Sequence, residues 1–274
     1  MAQIDKPNLH FNTVTYTGNG SYGHGITGVG FQPDFVWIKR RDGNAKNHEL
    51  YDAVRGTDKA IYSSANAVEG AGVNLLHSFD SDGFTVDDHA GINSSNNFVS
   101  WNWKAGGTTS SNTDGDITST VSVNTTAGFS IVSYTGNGST NQTIGHGLGV
   151  KPAVIIIKNR DDTNNWVMYH HKLNNGTNPE VKYLELNSTN AQLDDASIFN
   201  DTAPTSTLFT IGNASDTGSG SGGNNEKIIA YCFAEKKGYS KFGSYSGNAD
   251  ANGTFVYTGF KPAFVLLKSI NNGG

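Results

Sequence analysis

With 274 residues and 35% hydrophobic content, this chain is long enough to bury substantial cores and is expected to be globular. A formal charge of −5, with only 16% charged residues, leaves no basic face for nucleic acid and no polybasic stretch for an anionic membrane. The single cysteine, Cys232, excludes an internal disulfide framework; no Cys/His spacing suggests zinc, and no cofactor is expected.

In chain order, the first ten residues, "MAQIDKPNLH", read as an arm without the apolar core of a signal peptide. No run reaches the ~18 apolar residues that span a bilayer, so synthesis in a cytoplasm without membrane insertion is expected. "FNTVTYTGNG" then reads as a strand entering a Gly/Asn turn, the mark of a hairpin. "DFVWIK" follows Pro33 as a continuous apolar run rich in β-branched and aromatic residues, which predicts a strand covered on both faces, with Lys39 marking the exit to solvent. "LLHSFDSDGFTV" (75–86) predicts two strands around a tight Asp-Gly turn. In "FVSWNWKAGG" (98–107), Trp101 and Trp103 stand two apart and share one sheet face, where they are expected in the core, as is Trp37.

This set recurs. Pro152 and Pro262 stand where Pro33 does, and Lys158 and Lys268 keep the same offset as Lys39. "FSIVSYTGNG", "AVIIIK" and "IIAYCFAEKKG" restate the first copy; "KFGSYSGNAD" and "AFVLLK" begin a third. Short strands and turns over ~100 residues per copy predict an all-β fold of tandem β-sandwich or jelly-roll domains with few helices. The expected division is an arm at 1–10, repeat one at 11–107, a polar connector at 108–127, repeat two at 128–238 and a partial repeat three at 239–274. The connector is expected to be semi-ordered, although "DITSTVSVN" alternates enough for an edge strand. A third copy this short cannot close its own core; it is expected to pack on copy two, complete a neighbouring subunit, or begin a further domain.

Several residues carry candidate chemistry. His24 and His146 each lie in a "GHG", but at different distances from their prolines, so they are expected to be turn residues rather than paired bases. Asp80, Asp82 and Asp87, with Asp88 and His89, are candidate calcium ligands, set against a solvated hairpin turn because no twelve-residue loop ends in Glu. A depolymerase would need two carboxylates flanking a bond, whereas "YLELNST" carries only Glu185, and Asp194 with Asp195 falls in a loop-like segment. "GSGSGG" near Gly218 reads as a flexible tract, not a nucleophile elbow. Trp166, Tyr169 and His170, in "NNWVMYHHK", are candidate glycan contacts on a loop presenting a flat aromatic face.

The motifs "FQPDFVWIK", "LYDAVRG", "SFDSDGFTV", "WNWKAGG", "YCFAEKKGYSKFGSY" and "FVYTGFKPAFVLLK" resemble a family of repeated domains in tail fibre and virion structural proteins of marine bacteriophages, including cyanophages. The resemblance spans nearly the whole chain. It implies a concanavalin-like β-sandwich, a non-enzymatic role in the virion, a homotrimer, and as partners other tail proteins and a host surface glycan. Members of that family often continue past the "PAFVLLK" strand into a further copy, whereas this sequence reads "NNGG" there. A stand-alone lectin-like glycan-binding module is the alternative reading, and a polysaccharide depolymerase a third.

Overall fold

A computed structural model describes residues 4–43, 46–218 and 225–271. Its regular structure is almost entirely antiparallel β. The first half contributes β1 (Phe11–Thr17), β2 (His24–Thr27), β3 (Phe35–Arg40), β4 (Glu49–Asp52), β5 (Gly56–Tyr62), β6 (Gly70–Ala71), β7 (Leu76–Asp80), β8 (Gly83–Val86) and β9 (Asn97–Trp103), with a one-turn helix, α1 (Ala90–Asn93). The second contributes β10 (Ser110–Asn112), β11 (Ser119–Asn124), β12 (Phe129–Thr135), β13 (Gln142–Gly145), β14 (Val154–Asn159), β15 (Val167–His170), β16 (Lys182–Glu185), β17 (Leu193–Asp194), β18 (Leu208–Ile211) and β19 (Lys227–Phe233), with α2 (Ala196–Phe199) before β18.

Two large sheets result, ordered β1-β9-β3-β4-β5-β6 and β10-β11-β12-β19-β14-β15-β16-β17. From β12 onward the second repeats the order of the first: first strand, last strand, then the run that follows the proline. A three-stranded sheet, β2-β8-β7, covers one face of the first, and the pair β13-β18 covers one face of the second.

The alternation of each proline-led strand explains the layering, because successive side chains in a strand point to opposite faces. Val36 and Ile38 of β3 pack under the small sheet with Ile26, Phe84 and Val86, while Phe35 and Trp37 point the other way. Ile155 and Ile157 of β14 likewise face Ile144, Phe209 and Ile211, while Val154 and Ile156 point the other way. These outward sets meet: Phe35, Trp37 and Trp103 of the first half form one core with Phe129, Ile156, Trp166 and Tyr231 of the second. The Phe35 and Tyr231 rings, one from each sheet, are 4.5 Å apart between centroids. The large sheets therefore pack face to face, and the described residues form a four-layer stack with three cores. A buried side chain of this size contributes roughly 1.5–3 kcal/mol, so the middle core joins the halves far more firmly than a linker would.

Glycine in the "YTGNG" turn has a packing cause. A Cβ on Gly18 would lie 2.1 Å from the Ser94 carbonyl oxygen, and one on Gly136 would lie 2.2 Å from that of Gly218. In both halves another backbone passes where a side chain would stand.

Three expectations are corrected. The connector at 108–127 is not semi-ordered: β10 and β11 extend the second sheet, with β11 paired along β12 from Thr120↔Ser133 to Asn124↔Phe129. Lys158 does not exit to solvent. It is fully buried, and its Nζ turns back to donate to the carbonyls of Asn159 and Asp162 at 2.6 and 3.1 Å. Burial pushes this amine down to about 8, against the pull of Asp216 and Asp162. The third copy's "AFVLLK" forms no strand: Val265, Leu266 and Leu267 are exposed, whereas Phe264 packs among Phe11, Trp37, Trp101 and Trp103. Its counterparts β3 and β14 each lie between two partner strands; this segment has none among the described residues.

Candidate functional site

The seam between the large sheets carries a buried charged cluster that no motif announced. At the end of β4, Asp52 accepts the backbone N–H groups of Val54 and Arg55 in the following turn at 3.1 and 2.9 Å, which presents its second oxygen to the Arg55 guanidinium. Arg55 is fully buried; it also donates to the Lys59 and Leu50 carbonyls and, at 3.0 Å, to Glu69. Side chains of the cluster reach across the seam: Tyr231 donates its hydroxyl to Asp52 at 2.7 Å, and Arg160 grips Glu69 with two prongs at 2.9 and 2.8 Å. The Glu69 backbone N–H adds a bond to the Arg160 carbonyl. Burial alone would raise the Glu69 carboxyl, but hydrogen bonds from Arg160 and the charges of both arginines hold it below its ordinary value. For Arg55, burial pulls downward and Asp52, Tyr231 and Glu69 more than offset it. Breaking any member of this cluster strands a buried charge, which opposes displacement of one sheet relative to the other.

Trp166 and Tyr169 are not a surface face, which corrects the expectation for them. Both are 0% exposed. Trp166 packs in the middle core, its ring 6.5 Å from Tyr231 and its Nε1 donating to the Tyr62 carbonyl across the seam at 2.8 Å. Tyr169 lies on the opposite face of β15, in the core under β13 and β18. One signal for this was present: "LYD" and "MYH" hold a tyrosine at nearly the same distance from their prolines, and Tyr51 is equally buried on β4. His170 is half-buried; burial, His171 and Lys172 push it down to about 4, and its Nδ1 accepts the Lys172 backbone N–H.

The aspartates proposed for calcium point apart. Asp80 accepts hydroxyls from Ser78 and Thr85, Asp82 clamps the backbone N–H groups of Gly28 and Gly30, and Asp87 holds the Gly23 N–H. Among the described residues no three His, Cys, Asp or Glu side chains converge on a metal position. His146 is buried, with Nδ1 accepting the Leu148 N–H of its own loop and Nε2 at 3.3 Å from the Thr205 carbonyl in the segment before β18. Trp37 and Trp103 lie in the middle core and Trp101 packs against it. The Gly/Ser tract at 219–223 lies outside the described residues.

One exposed cluster remains at the loop end of the first half. Tyr22 is 63% exposed, its ring edge-on to His77 at 5.3 Å and its hydroxyl 3.2 Å from His77 Nδ1. His77 lies 3.3 Å from Asp87, and beneath them buried Asn93 bonds His24 at 2.9 Å and the Asn19 N–H at 3.0 Å. This places an aromatic ring, an imidazole and an amide scaffold side by side at the surface.

Residues 6–274 match the family described as "Domain of unknown function (DUF7483)". The chain belongs to that family. The match runs through both large sheets and the segment after β19, so the seam lies within it. Neither the curated proteins nor the solved structures gave a match. Among the described residues no helix is long and apolar enough to cross a membrane.

Proposed function

We propose that this DUF7483 chain is a non-enzymatic structural component of a bacteriophage virion, a tail fibre or similar appendage, built as tandem concanavalin-like sandwich modules. The observation that carries the reading is the seam: two halves with the same strand order are joined through a shared apolar core and the Asp52–Arg55–Glu69–Arg160 cluster. An appendage that transmits position from particle to host needs modules held at one angle, and a module restated in tandem supplies length. The motif resemblance to phage virion repeats supplies the virion context, with other tail proteins, further copies of the chain as a homotrimer, and a host glycan as partners. Immunogold labelling of particles that encode the chain tests it; gold on tail appendages is the expected result, and label absent from particles or confined to heads refutes it.

A lectin-like reading is favoured by the Tyr22 cluster, because an exposed aromatic beside hydrogen-bonding groups is what a sugar ring packs on. Glycan-array binding that Tyr22→Ala removes would support it; binding unchanged by Tyr22→Ala and His77→Ala would eliminate this surface.

A further inference from the structure

We infer that residues 254–258, "TFVYT", form a strand that adds to the free edge of β1 in a second copy of this chain. Phe255, Val256 and Tyr257 are 87%, 47% and 79% exposed, in a sequence whose β-branched and aromatic content suits a strand. Among the described residues this stretch is held by local hydrogen bonds, from Thr254 to the Ser246 carbonyl and from Thr258 to the Phe260 carbonyl. Docking of Phe264 and the bonds of Ile270 and Lys268 to the 190–192 loop anchor the segment beyond it. The segment is thus presented from the body on an anchored base, with no ladder of its own.

The acceptor follows from comparing the two large sheets. Bonds from Gly18 N–H to the Asn96 carbonyl and from Lys104 N–H to the His10 carbonyl flank β1, so its even-numbered residues bond β9. The backbone groups of Phe11, Thr13, Thr15 and Thr17 therefore turn outward, with the Thr13 N–H capped by the Asn12 side chain. In the second sheet the equivalent residues of β12, including Ile131 and Ser133, turn outward in the same way, and β11 fills that place. Beside β1 the place is unfilled among the described residues. The other ends of the large sheets, β6, β10 and β17, are two or three residues long against seven for β1. An unpaired edge of that length is a template for an added strand, and an exposed apolar strand without a ladder is its complement. Because one surface donates and a different one accepts, the contact is head-to-tail, closing into a ring or continuing as a filament according to the rotation it imposes.

Light scattering on the full chain over a wide concentration range tests this, together with three variants. Val256→Pro removes a ladder N–H in a stretch that has no ladder within one copy, so the single-copy fold is untouched. The expected result is a mass rising above the 29.1 kDa of one chain with concentration, and a return to that value for Val256→Pro. A chain carrying Thr15→Cys mixed with one carrying Val256→Cys is expected to cross-link, while neither does so alone; Cys232 is buried and does not compete. A single-chain mass at every concentration, assembly unchanged by Val256→Pro, or cross-linking of Val256→Cys with itself overturns the inference. Each of these leaves the virion reading to be decided separately by particle labelling.

Discussion

Arg160 of the second half and Glu69 of the first, 91 positions apart, meet in a two-pronged ion pair whose arms measure 2.9 and 2.8 Å. The same carboxylate also receives Arg55, so one acid answers two arginines at the seam. Bidentate geometry with little exposure is where an ion pair resists solvent screening.

Removing that acid leaves both guanidinium groups partly stranded. Glu69→Gln is expected to lower unfolding free energy by about 3 kcal/mol at neutral pH, as breaking a buried pair does. Urea denaturation followed by tryptophan fluorescence measures it, and a loss below ~0.5 kcal/mol would mean the pair behaves as a surface bridge.

Acid should erase the difference. The Glu69 carboxyl is held below its ordinary 4.5, so it contributes stability that is present above that value and lost as pH falls through its folded value. Wild type and Glu69→Gln should therefore differ at pH 7, and the gap should close progressively as pH falls below 4.5; a constant gap would contradict the assignment.

His48 should add a second acid response. Its Nδ1 accepts the Trp37 indole N–H at 2.9 Å, and burial, with Lys39, pushes it from 6.5 down to about 4. A histidine kept neutral in the fold contributes stability present above its unfolded value and lost as pH falls from 6.5 toward 4. The melting temperature should fall across that window in wild type and fall less steeply in His48→Phe, which cannot titrate. Parallel curves would show that another group controls the response.

Trp166→Ala should cost about 3–5 kcal/mol, the range for emptying a large aromatic site in a core. Trp166→Phe should cost less, keeping most of the packing and losing the bond to the Tyr62 carbonyl. Unfolding midpoints of the two variants check this; an alanine variant as stable as wild type would place the ring at the surface.

Gly18→Ala tests the backbone crossing behind the "YTGNG" turn. Its new Cβ would meet the Ser94 carbonyl at 2.1 Å, where the neighbour is main chain and cannot rotate away. A loss of about 1–3 kcal/mol is expected, read from the same unfolding curves, and a neutral effect would show that the α1 end yields freely.

The sequence by itself determined the β character, the restated register and the double-faced burial of β3 and β14, because alternation of apolar residues is local and survives without knowledge of neighbours. It also placed Trp37 and Trp103 inside. It could not say what covers each face. "WVMYHH" looks like an aromatic patch in isolation, and only the approach of the first half's sheet makes Trp166 interior. The burial of Lys158 was illegible for a related reason: a lysine at a strand end usually reaches solvent, but here the loop at 159–162 closes over it and offers its carbonyls. The seam cluster was illegible because Asp52, Glu69, Arg160 and Tyr231 are far apart in the chain and ordinary in type. What tertiary structure alone decided is which apolar faces meet and which charges are desolvated between them, since both depend on long-range packing that no local pattern encodes.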